Sequence, residues 1–369
     1  MTQVKQHKDP LLRIAKRDAI GRPKAYAIRL IGVLLSLLVS GAFIFAVTKL
    51  NPIQVYNAIF DGAFGTERRS WVTIRDAMML LCIGVGLAPA FKMKFWNIGG
   101  EGQVLVGGLA SAACMICLGN KLPNGVVILC MIVASILAGA CWGFLPAFFK
   151  AKWNTNETLF TLMMNYIATQ LVAFFTIVWE VPKGSGKIGI INQNTNVGWL
   201  PQLFGSKYLL PIVVAVIVTV FMHIYLWYSK HGYEICVVGE SENTAKYVGI
   251  KVEKVIIRTM ILSGAICGLV GLLLVGGINH TVTTTIAGGQ GFTAVLVSWM
   301  SKFNPFTMIF SSLLIVFMDR GASEISTNFG LNHSYSDILT GIILFFIIGC
   351  EFFITYRLQF RKKTEKEEQ

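Results

Sequence analysis

Charged residues, histidines and recognisable catalytic sets are scarce in this chain of 369 residues. Only 14% of the residues are Asp, Glu, Lys or Arg, and the five histidines are scattered along the chain. A metal site needs several ligands close together, so this scatter disfavours one. No nucleophile stands out beside a histidine and an acid, and the eight cysteines lie mostly in apolar runs without a disulfide framework. These absences argue against a hydrolase, a metalloprotein and a disulfide-stabilised domain.

A nucleotide-binding loop is absent as well. The stretch KGSGKIG at residues 183–189 has glycines and a lysine in the style of a phosphate-binding loop, but two positions fail. Val181 stands where the first glycine belongs, and Ile188 replaces the Ser or Thr that would hold magnesium. We therefore expect no cofactor in this chain, and we interpret it as a conduit and not as an enzyme.

Long apolar runs are what the chain does contain, since 54% of its residues are hydrophobic. Several runs approach or exceed the roughly 18–20 residues that a helix needs to cross a bilayer. Lipid requires every backbone polar group to be satisfied internally, and continuous apolar runs favour helices over a barrel. The alternative, a soluble domain, would need one core to bury all these runs. The predicted fold class is all-α, a polytopic membrane protein with about ten transmembrane helices. The clearest runs are Leu30–Val47, Val126–Leu145, Leu209–Trp227 and Ile338–Ile354.

The net charge of +13 first suggests a nucleic-acid partner, but the placement of the charge does not. With a cytoplasmic N-terminus, most of the 32 Lys and Arg residues fall on the inner side, as the positive-inside rule describes. The expected partner is thus the lipid bilayer and no nucleic acid, with both termini cytoplasmic. We predict a basic N-terminal segment (1–26), a transmembrane domain (27–356) and a cytoplasmic tail (357–369). Residues 11–15 are compatible with an interfacial helix and equally with a disordered tail.

Ten crossings follow from the apolar runs and the turn residues between them. A short amphipathic helix is expected at the outer surface within residues 51–75, and the longest inner loop covers about residues 229–254. The crossings are predicted at about 27–48, 76–91, 98–118, 125–146, 158–179, 208–228, 255–278, 291–301, 305–320 and 336–356. The eighth is short.

Two crossings begin with glycine-rich polar turns. GGEGQ opens the third at residues 99–103, and GGQG opens the eighth at residues 288–291. In the predicted topology the first of these helices starts from the inner side and the second from the outer side. This suggests an inverted repeat of residues 76–179 and 255–356. Transporters built in this way place their pathway where broken helices direct helix N-termini and polar backbone to the midplane.

Polar residues at these breaks and at helix ends are the candidates for a solute pathway. Asn97 is suited to cap the helix that follows, and Glu101 lies in its first turn, where the helix dipole favours an anion. A capped helix start explains much of this pattern without any transport role. Irregular backbone at membrane depth nevertheless persists only if it is buried in protein or faces a water-filled path. The candidate pathway residues are Asn97, Glu101, Gln103, Glu157, Asn165, Asn279 and Gln290.

The inner loop contains ESENTAKYVGI, which predicts a helix of about two turns. Ser241 is a candidate N-cap, Glu242 lies in the first turn, and Gly249 is a candidate stop. A helix this short is marginal in water, so it is expected to pack on another surface. That surface is either a partner protein or the inner loops of this chain.

Four segments together resemble one family. FWNIGGEGQVLVGGLAS resembles the FNIGAEGQ signature of permease subunits of bacterial ABC importers, in the branch serving nucleosides, simple sugars and branched-chain amino acids. NETLFTLMMNYIA, VVGESENTAKYVGIKVEK and GGQGFTAVLVSWMSKFNP resemble the segments of that family at the fifth crossing, the cytoplasmic loop and the eighth crossing. The resemblance covers nearly the whole chain after about residue 25. The GGEGQ form and the chain length are most similar to nucleoside-system permeases, with simple-sugar permeases of the ribose or galactose type as the nearest alternative.

The resemblance implies the partners and the location. Such permeases lie in the bacterial cell membrane and pair with a second permease, often a homologous but different chain. ATP-binding cassette ATPases, which bind the ATP and Mg, dock on the cytoplasmic short helices, and an extracellular substrate-binding lipoprotein delivers the solute. Ser241, Glu242 and Lys246 replace the usual Asn, Pro and Arg of the family in the segment that contacts the ATPase. The candidate coupling residues are Gly239, Glu240, Ser241, Glu242, Asn243, Thr244, Ala245, Tyr247 and Gly249.

An ion-coupled secondary transporter is the alternative from another class. Such transporters usually carry ionisable groups near the middle of their helices, where they relay protons or bind ions. In this sequence the ionisable residues lie towards the ends of the apolar runs, which disfavours that alternative.

Overall fold

The computed structural model describes residues 12–17, 21–119, 121–331 and 333–360. Most of these residues lie in helices. In chain order the elements are β1 (Leu12–Lys16), α1 (Arg22–Thr48), α2 (Pro52–Phe64), α3 (Glu67–Lys92), α4 (Gly100–Leu118), α5 (Asn124–Trp153), α6 (Glu157–Trp179), α7 (Leu209–Tyr228), α8 (Lys230–Glu240), α9 (Glu242–Tyr247), α10 (Val252–Leu272), a π-helix (Leu273–Asn279), α11 (Gln290–Met300), α12 (Pro305–Phe329), α13 (His333–Thr355) and β2 (Tyr356–Phe360).

Nine helices in the described part of the chain are long and apolar enough to cross a membrane, judged by length and composition. One of them is α10 continued by the π-helix, which together form the 28-residue segment Val252–Asn279. The predicted all-α membrane fold is confirmed. Two helices begin at residue types that favour the N-cap position: the Thr66 side chain caps α3, and the Asn156 side chain caps α6.

The predicted eighth crossing is a half-helix. α11 has 11 residues and is therefore about 16 Å long, roughly half of the hydrocarbon thickness of a bilayer. Residues in the left-handed region of backbone conformation flank this helix on both sides. Gly288 and Gly289 precede it with φ of 58° and 74°, and Lys302 and Phe303 follow it with φ of 49° and 60°.

The inner loop holds a helix that the sequence analysis misses. Residues 230–240 form α8, because the Ser229 hydroxyl accepts a hydrogen bond from the Gly232 amide at 3.0 Å and so caps its start. Ile235 and Val238 on this helix are buried. The loop predicted over 229–254 is therefore two short helices joined at Ser241.

The chain ends also differ from the expectation. Residues 12–16 form β1 and pair with β2 in an antiparallel ribbon, where the sequence leaves an interfacial helix and a disordered tail open. α1 begins at Arg22 instead of near residue 27, with Pro23 in its first turn, where proline is favoured. The other residues of the two predicted terminal segments, 1–11, 18–20 and 361–369, lie outside the described part.

The described residues divide into two compact units. The first contains α1, α2, the end of α12, α13 and the β1–β2 ribbon. Within it α1 packs on α13, with Cys350 directly against Gly32, and the Tyr56 and Ser40 hydroxyls lie 3.0 Å apart. The second unit contains residues 64–317, and α4, α5 and α10 pack against one another at its centre.

Glycines bring α5 and α10 into backbone contact in this second unit. A Cβ on Gly139 of α5 would lie 2.2 Å from the carbonyl oxygen of Gly264 on α10, and a Cβ on Gly264 would lie 2.1 Å from the Gly139 oxygen. A Cβ on Gly268 would lie 2.2 Å from the Ser135 oxygen. Helices in lipid associate through such close packing, because the lipid is as apolar as the helices. These glycines therefore fix α5 on α10.

The two segments predicted as repeats contain elements in the same order. In the first, α3 is followed by a glycine-rich break, α4, α5 and α6. In the second, α10 and the π-helix are followed by a break, α11, α12 and α13. This order agrees with a repeat, and the opposite orientation of its two halves stays a prediction.

Candidate functional site

The two glycine-rich breaks meet inside the second unit. The Glu101 carboxylate, in the first turn of α4, accepts hydrogen bonds from the Gly289 and Gly291 amides at 2.9 and 2.8 Å. These amides belong to the start of α11, where backbone donors have no partner within the helix and the dipole favours an anion. Glu101 thus caps a helix other than its own. We refer to these two bonds as the Glu101 tie.

Close backbone approach accompanies the Glu101 tie. A Cβ on Gly291 would lie 2.1 Å from the Glu101 amide nitrogen and 2.5 Å from its Cα, so only glycine fits there. Glu101 is 8% exposed. A hydrogen bond to a charged group contributes roughly 1.5–3 kcal/mol. The tie therefore fixes the starts of α4 and α11 relative to each other.

The start of α4 is in turn capped by α6. Asn165 Oδ1 accepts from the Gly102 amide at 2.8 Å, and its Nδ2 donates to the Ile98 carbonyl at 2.9 Å. One turn earlier on α6, the Thr161 hydroxyl accepts from the Ile98 amide at 3.2 Å. The sequence predicts Asn165 as a site residue but not Thr161, whose hydroxyl also donates to the Glu157 carbonyl, a common pattern within helices.

Asn97 holds the turn before α4. Its Oδ1 accepts from the Gly99 amide at 3.0 Å, and Gly99 itself occupies the N-cap position. Its Nδ2 donates to the Ser263 hydroxyl of α10 at 3.1 Å, and both side chains are fully buried. Asn97 therefore binds the break to α10, a contact that the sequence analysis does not anticipate.

An aromatic cluster holds the far end of α11. Trp299, in its last turn, stacks on Trp96 with ring centroids 5.1 Å apart. Phe91 and Phe303 lie 6.2 and 5.2 Å from the Trp299 ring. Such pairs contribute roughly 0.5–1.5 kcal/mol beyond the area that they bury. Both ends of α11 are thus attached to the region between α3 and α4.

Three buried polar atoms at or near the breaks have no hydrogen-bond partner within the described part of the chain. They are Oε1 of Gln103, Oε1 of Gln290 and Nε1 of Trp142. The Trp142 nitrogen lies beside α4, since a Cβ on Gly102 would be 3.1 Å from it. Buried polar atoms usually have a partner, so these three are exceptions to the common pattern.

Two predicted pathway residues lie apart from this network. Glu157 begins α6, and its carboxylate is 3.0 Å from Lys150 Nζ. Asn279 ends the π-helix and is exposed. Its neighbours Ile278 and His280 line a cavity of about 270 Å³. The network at the breaks includes the predicted residues Asn97, Glu101, Gln103 and Asn165. Gln290 lies at the start of α11, between the two glycines that Glu101 binds.

The geometry shows that these side chains hold helices together. Asn97, Gln103 and Asn165 are 0%, 1% and 4% exposed. Asn97 bonds to α10 and Asn165 to the start of α4, while the Gln103 amide donates to Asn97 at 3.5 Å. Burial in protein is one of the two conditions under which irregular backbone persists at membrane depth. The network sets the relative positions of α4, α6, α10 and α11.

α8 and α9 form a corner at Ser241. Its amide donates to the Val237 carbonyl at 3.1 Å, and its hydroxyl accepts from the Thr244 amide at 3.2 Å. The predicted N-cap is therefore confirmed. Gly249 has φ of 81° and follows α9, as the predicted stop requires.

Exposure divides the nine candidate coupling residues. Tyr247 is 91% exposed, whereas Gly239 and Ala245 are buried and present no side chain to a partner. Ser241 is half-buried. The others are exposed: Glu240, Glu242, Asn243, Thr244 and Gly249.

The chain is similar in sequence to several known transport proteins. A family model described as "Branched-chain amino acid transport system / permease component" matches residues 72–348. The glucose ABC transporter permease protein TsgB13 of Haloferax volcanii is 25% identical over 361 residues, covering 94% of this chain and 93% of the relative. The guanosine ABC transporter permease protein NupP of Bacillus subtilis is 29% identical, covering 86% and 91%. The nucleoside ABC transporter permease protein NupB of Lactococcus lactis is 27% identical, covering 83% and 86%.

The family match includes both glycine-rich breaks, the Glu101 tie and the α8–α9 corner. It extends over more than half of the chain. This membrane protein therefore belongs to the family of permease components of the branched-chain amino acid transport system.

Proposed function

We propose that this chain is the transmembrane permease subunit of an ATP-driven importer for nucleosides. The observation that carries the proposal is the meeting of two helix N-termini at the Glu101 tie. Broken helices that meet within the bundle are the elements that transporters rearrange around a solute path. Two relatives, from Bacillus subtilis and Lactococcus lactis, are named as guanosine and nucleoside permeases. These names support nucleosides as the solute.

We propose that partner ATPases bind ATP and Mg and hydrolyse the ATP. The α8–α9 corner supports this role, because it joins two membrane-crossing helices and carries the exposed Tyr247 ring. An exposed tyrosine is a frequent anchor in protein interfaces. The corner then faces the cytoplasm, and both termini lie on that side. An extracellular binding lipoprotein delivers the solute from the other side.

A second permease chain is the proposed partner of α6. Gln170 lies near the middle of this 23-residue helix and is exposed, beside Tyr166 in a shallow surface groove. An amide facing lipid would lack hydrogen-bond partners at that depth. A path shared with a second permease provides them, so we propose that this face of α6 borders the solute path.

An uptake experiment tests the function. Deletion of this chain is expected to abolish ATP-dependent uptake of labelled guanosine, and a restored copy is expected to return it. The relative from Haloferax volcanii named as a glucose permease supports simple sugars as the second candidate. Loss of glucose or ribose uptake with unchanged nucleoside uptake would replace the first proposal with the second. Transport by the purified chain on an ion gradient without ATPase would refute both.

Replacement of Tyr247 tests the ATPase contact. Tyr247→Ala is expected to weaken binding of the ATPase by about thirtyfold, since an interface hot spot contributes about 2 kcal/mol or more. The variant should still accumulate in the membrane, because an exposed side chain contributes little to folding. Co-purification of the ATPase measures the effect.

Phe204→Ala provides the control for this experiment. Phe204 is 98% exposed and lies in the segment between α6 and α7, away from the α8–α9 corner. Its replacement should leave ATPase binding unchanged. Equal ATPase binding by the wild type and Tyr247→Ala would show that the ATPase docks on another surface.

A further inference from the structure

The end of α8 lies in backbone contact with the end of α3. Gly239 is buried in the last turn of α8, and a Cβ there would lie 2.2 Å from the Lys92 carbonyl oxygen and 3.2 Å from the Met93 Cα. The Lys92 side chain extends over Trp227 of α7, 4.2 Å from the ring centroid. Because the obstructing atoms belong to the backbone, no side-chain rotation would make room for a larger residue.

The end of α3 leads directly into the break. Lys94 has φ of 62°, and the Phe95 amide donates to the Ala90 carbonyl at 2.9 Å, which closes the helix end. Phe95 is 3% exposed. Only four residues separate Lys92 from Asn97, so displacement of the α3 end displaces the turn before α4.

α8 makes a second contact towards the same break. Glu234 forms an ion pair with Arg258 of α10, with an N–O distance of 2.9 Å. Five residues further along α10, Ser263 accepts the hydrogen bond from Asn97. Glu234 and Gly239 thus connect α8 to the two elements, α10 and α3, that hold the break in place.

We propose that Gly239 and Glu234 are positioning residues, through which the orientation of α8 sets the turn at residues 93–99, before α4, and the Glu101 tie. The inference rests on the proposed function, because it supplies the route from the ATPase-facing corner to the two helix starts. Ser241 joins α9 to α8 through both its amide and its hydroxyl, so displacement of α9 is passed to α8. Gly239 is glycine because the contact is between backbones.

Hydrogen exchange on the purified chain tests the proposal without any ATPase or solute. Gly239→Ala is expected to speed exchange of the Gly289 and Gly291 amides, which the tie protects, by about tenfold. Gly321→Ala is the matched control. Its Cβ would lie 2.4 Å from the Ile59 Cγ2 and 2.9 Å from the Ile59 Cα, so it causes a similar clash within the first unit, outside the proposed route. We expect it to leave exchange at the tie unchanged.

Two outcomes would overturn the proposal. One is unchanged exchange at residues 289–291 in Gly239→Ala. The other is equal acceleration in both glycine variants, since that would indicate general loosening. If Gly239→Ala does not accumulate, Glu234→Gln takes its place in the experiment. Exchange of the amides at residues 97–103 should then be severalfold faster. Unchanged exchange at these residues would contradict the proposed route. Because exchange requires no transport, these results are independent of the uptake experiment on which the proposed function depends.

In the reconstituted complex, the same variants separate coupling from stability. Gly239→Ala is expected to lower nucleoside moved per ATP hydrolysed at least fivefold. Gly321→Ala should lower uptake and hydrolysis in proportion, because it affects the amount of folded protein. A constant ratio in both variants would contradict the positioning role of Gly239.

Discussion

Glu101→Ala is expected to reduce nucleoside uptake at least tenfold, to near background. The substitution removes two hydrogen bonds to a charged acceptor, each contributing roughly 1.5–3 kcal/mol, and leaves the buried Gly291 amide and the half-buried Gly289 amide without partners. The first turns of α4 and α11 then lose the hydrogen bonds that connect them. Uptake of labelled guanosine, normalised to the amount of permease in the membrane, measures the loss.

Two further variants show whether the effect comes from the tie. Glu101→Gln keeps one acceptor oxygen but no charge, so its uptake should fall between that of the wild type and Glu101→Ala. Glu253→Ala removes an exposed glutamate from the first turn of another membrane helix, α10. Its dipole effect at an exposed site is only about 0.3–1 kcal/mol, so uptake should change less than twofold. Normal uptake by Glu101→Ala at normal membrane levels would show that the tie has no part in transport.

Gly139→Ala is expected to lower the melting temperature of the purified protein by about 2–12 °C, or to prevent its accumulation. The added Cβ would lie 2.2 Å from the Gly264 carbonyl oxygen, so α5 and α10 must separate. Overpacking of this kind typically costs about 1–3 kcal/mol and sometimes more. For a domain of this size, 1 kcal/mol corresponds to roughly 2–4 °C. A thermal unfolding curve in detergent measures the change.

Gly125→Ala is the matched substitution on the same helix. No atom of the described chain lies within 4 Å of the position of its Cβ. Alanine also has a higher helix propensity than glycine, by up to about 1 kcal/mol. The melting temperature of this variant should stay unchanged or rise slightly. Equal destabilisation by both substitutions would refute close packing as the reason for Gly139.

Local signals predicted the helices well, because each depends on nearby residues. The apolar runs located the long helices, and Ser241 and Gly249 marked the ends of α9 as the structure has them. α8 was harder to predict because its sequence, KHGYEICVVGE, contains two glycines, which lower helix propensity, and is far shorter than a membrane-crossing apolar run. Only the cap by Ser229 indicates its start.

These local signals could not predict which residues distant in the chain contact each other. The first-turn position of Glu101 was predictable, but its partners lie 188 and 190 residues away along the chain. The hydrogen bond from Asn97 to Ser263 spans 166 residues. Periodicity and capping rules describe neighbours up to about one helical turn apart. They single out polar residues at the breaks without showing which helix each one binds.

The attachment of α11 at both ends limits how this half-helix moves. Its first turn is bound to Glu101, and its last turn stacks on Trp96, only five residues earlier in the chain. Sliding along its own axis would break both attachments at once. Rotation together with the corner between α3 and α4 keeps both. We therefore expect α11 to move together with the segment between α3 and α4 as one rigid piece.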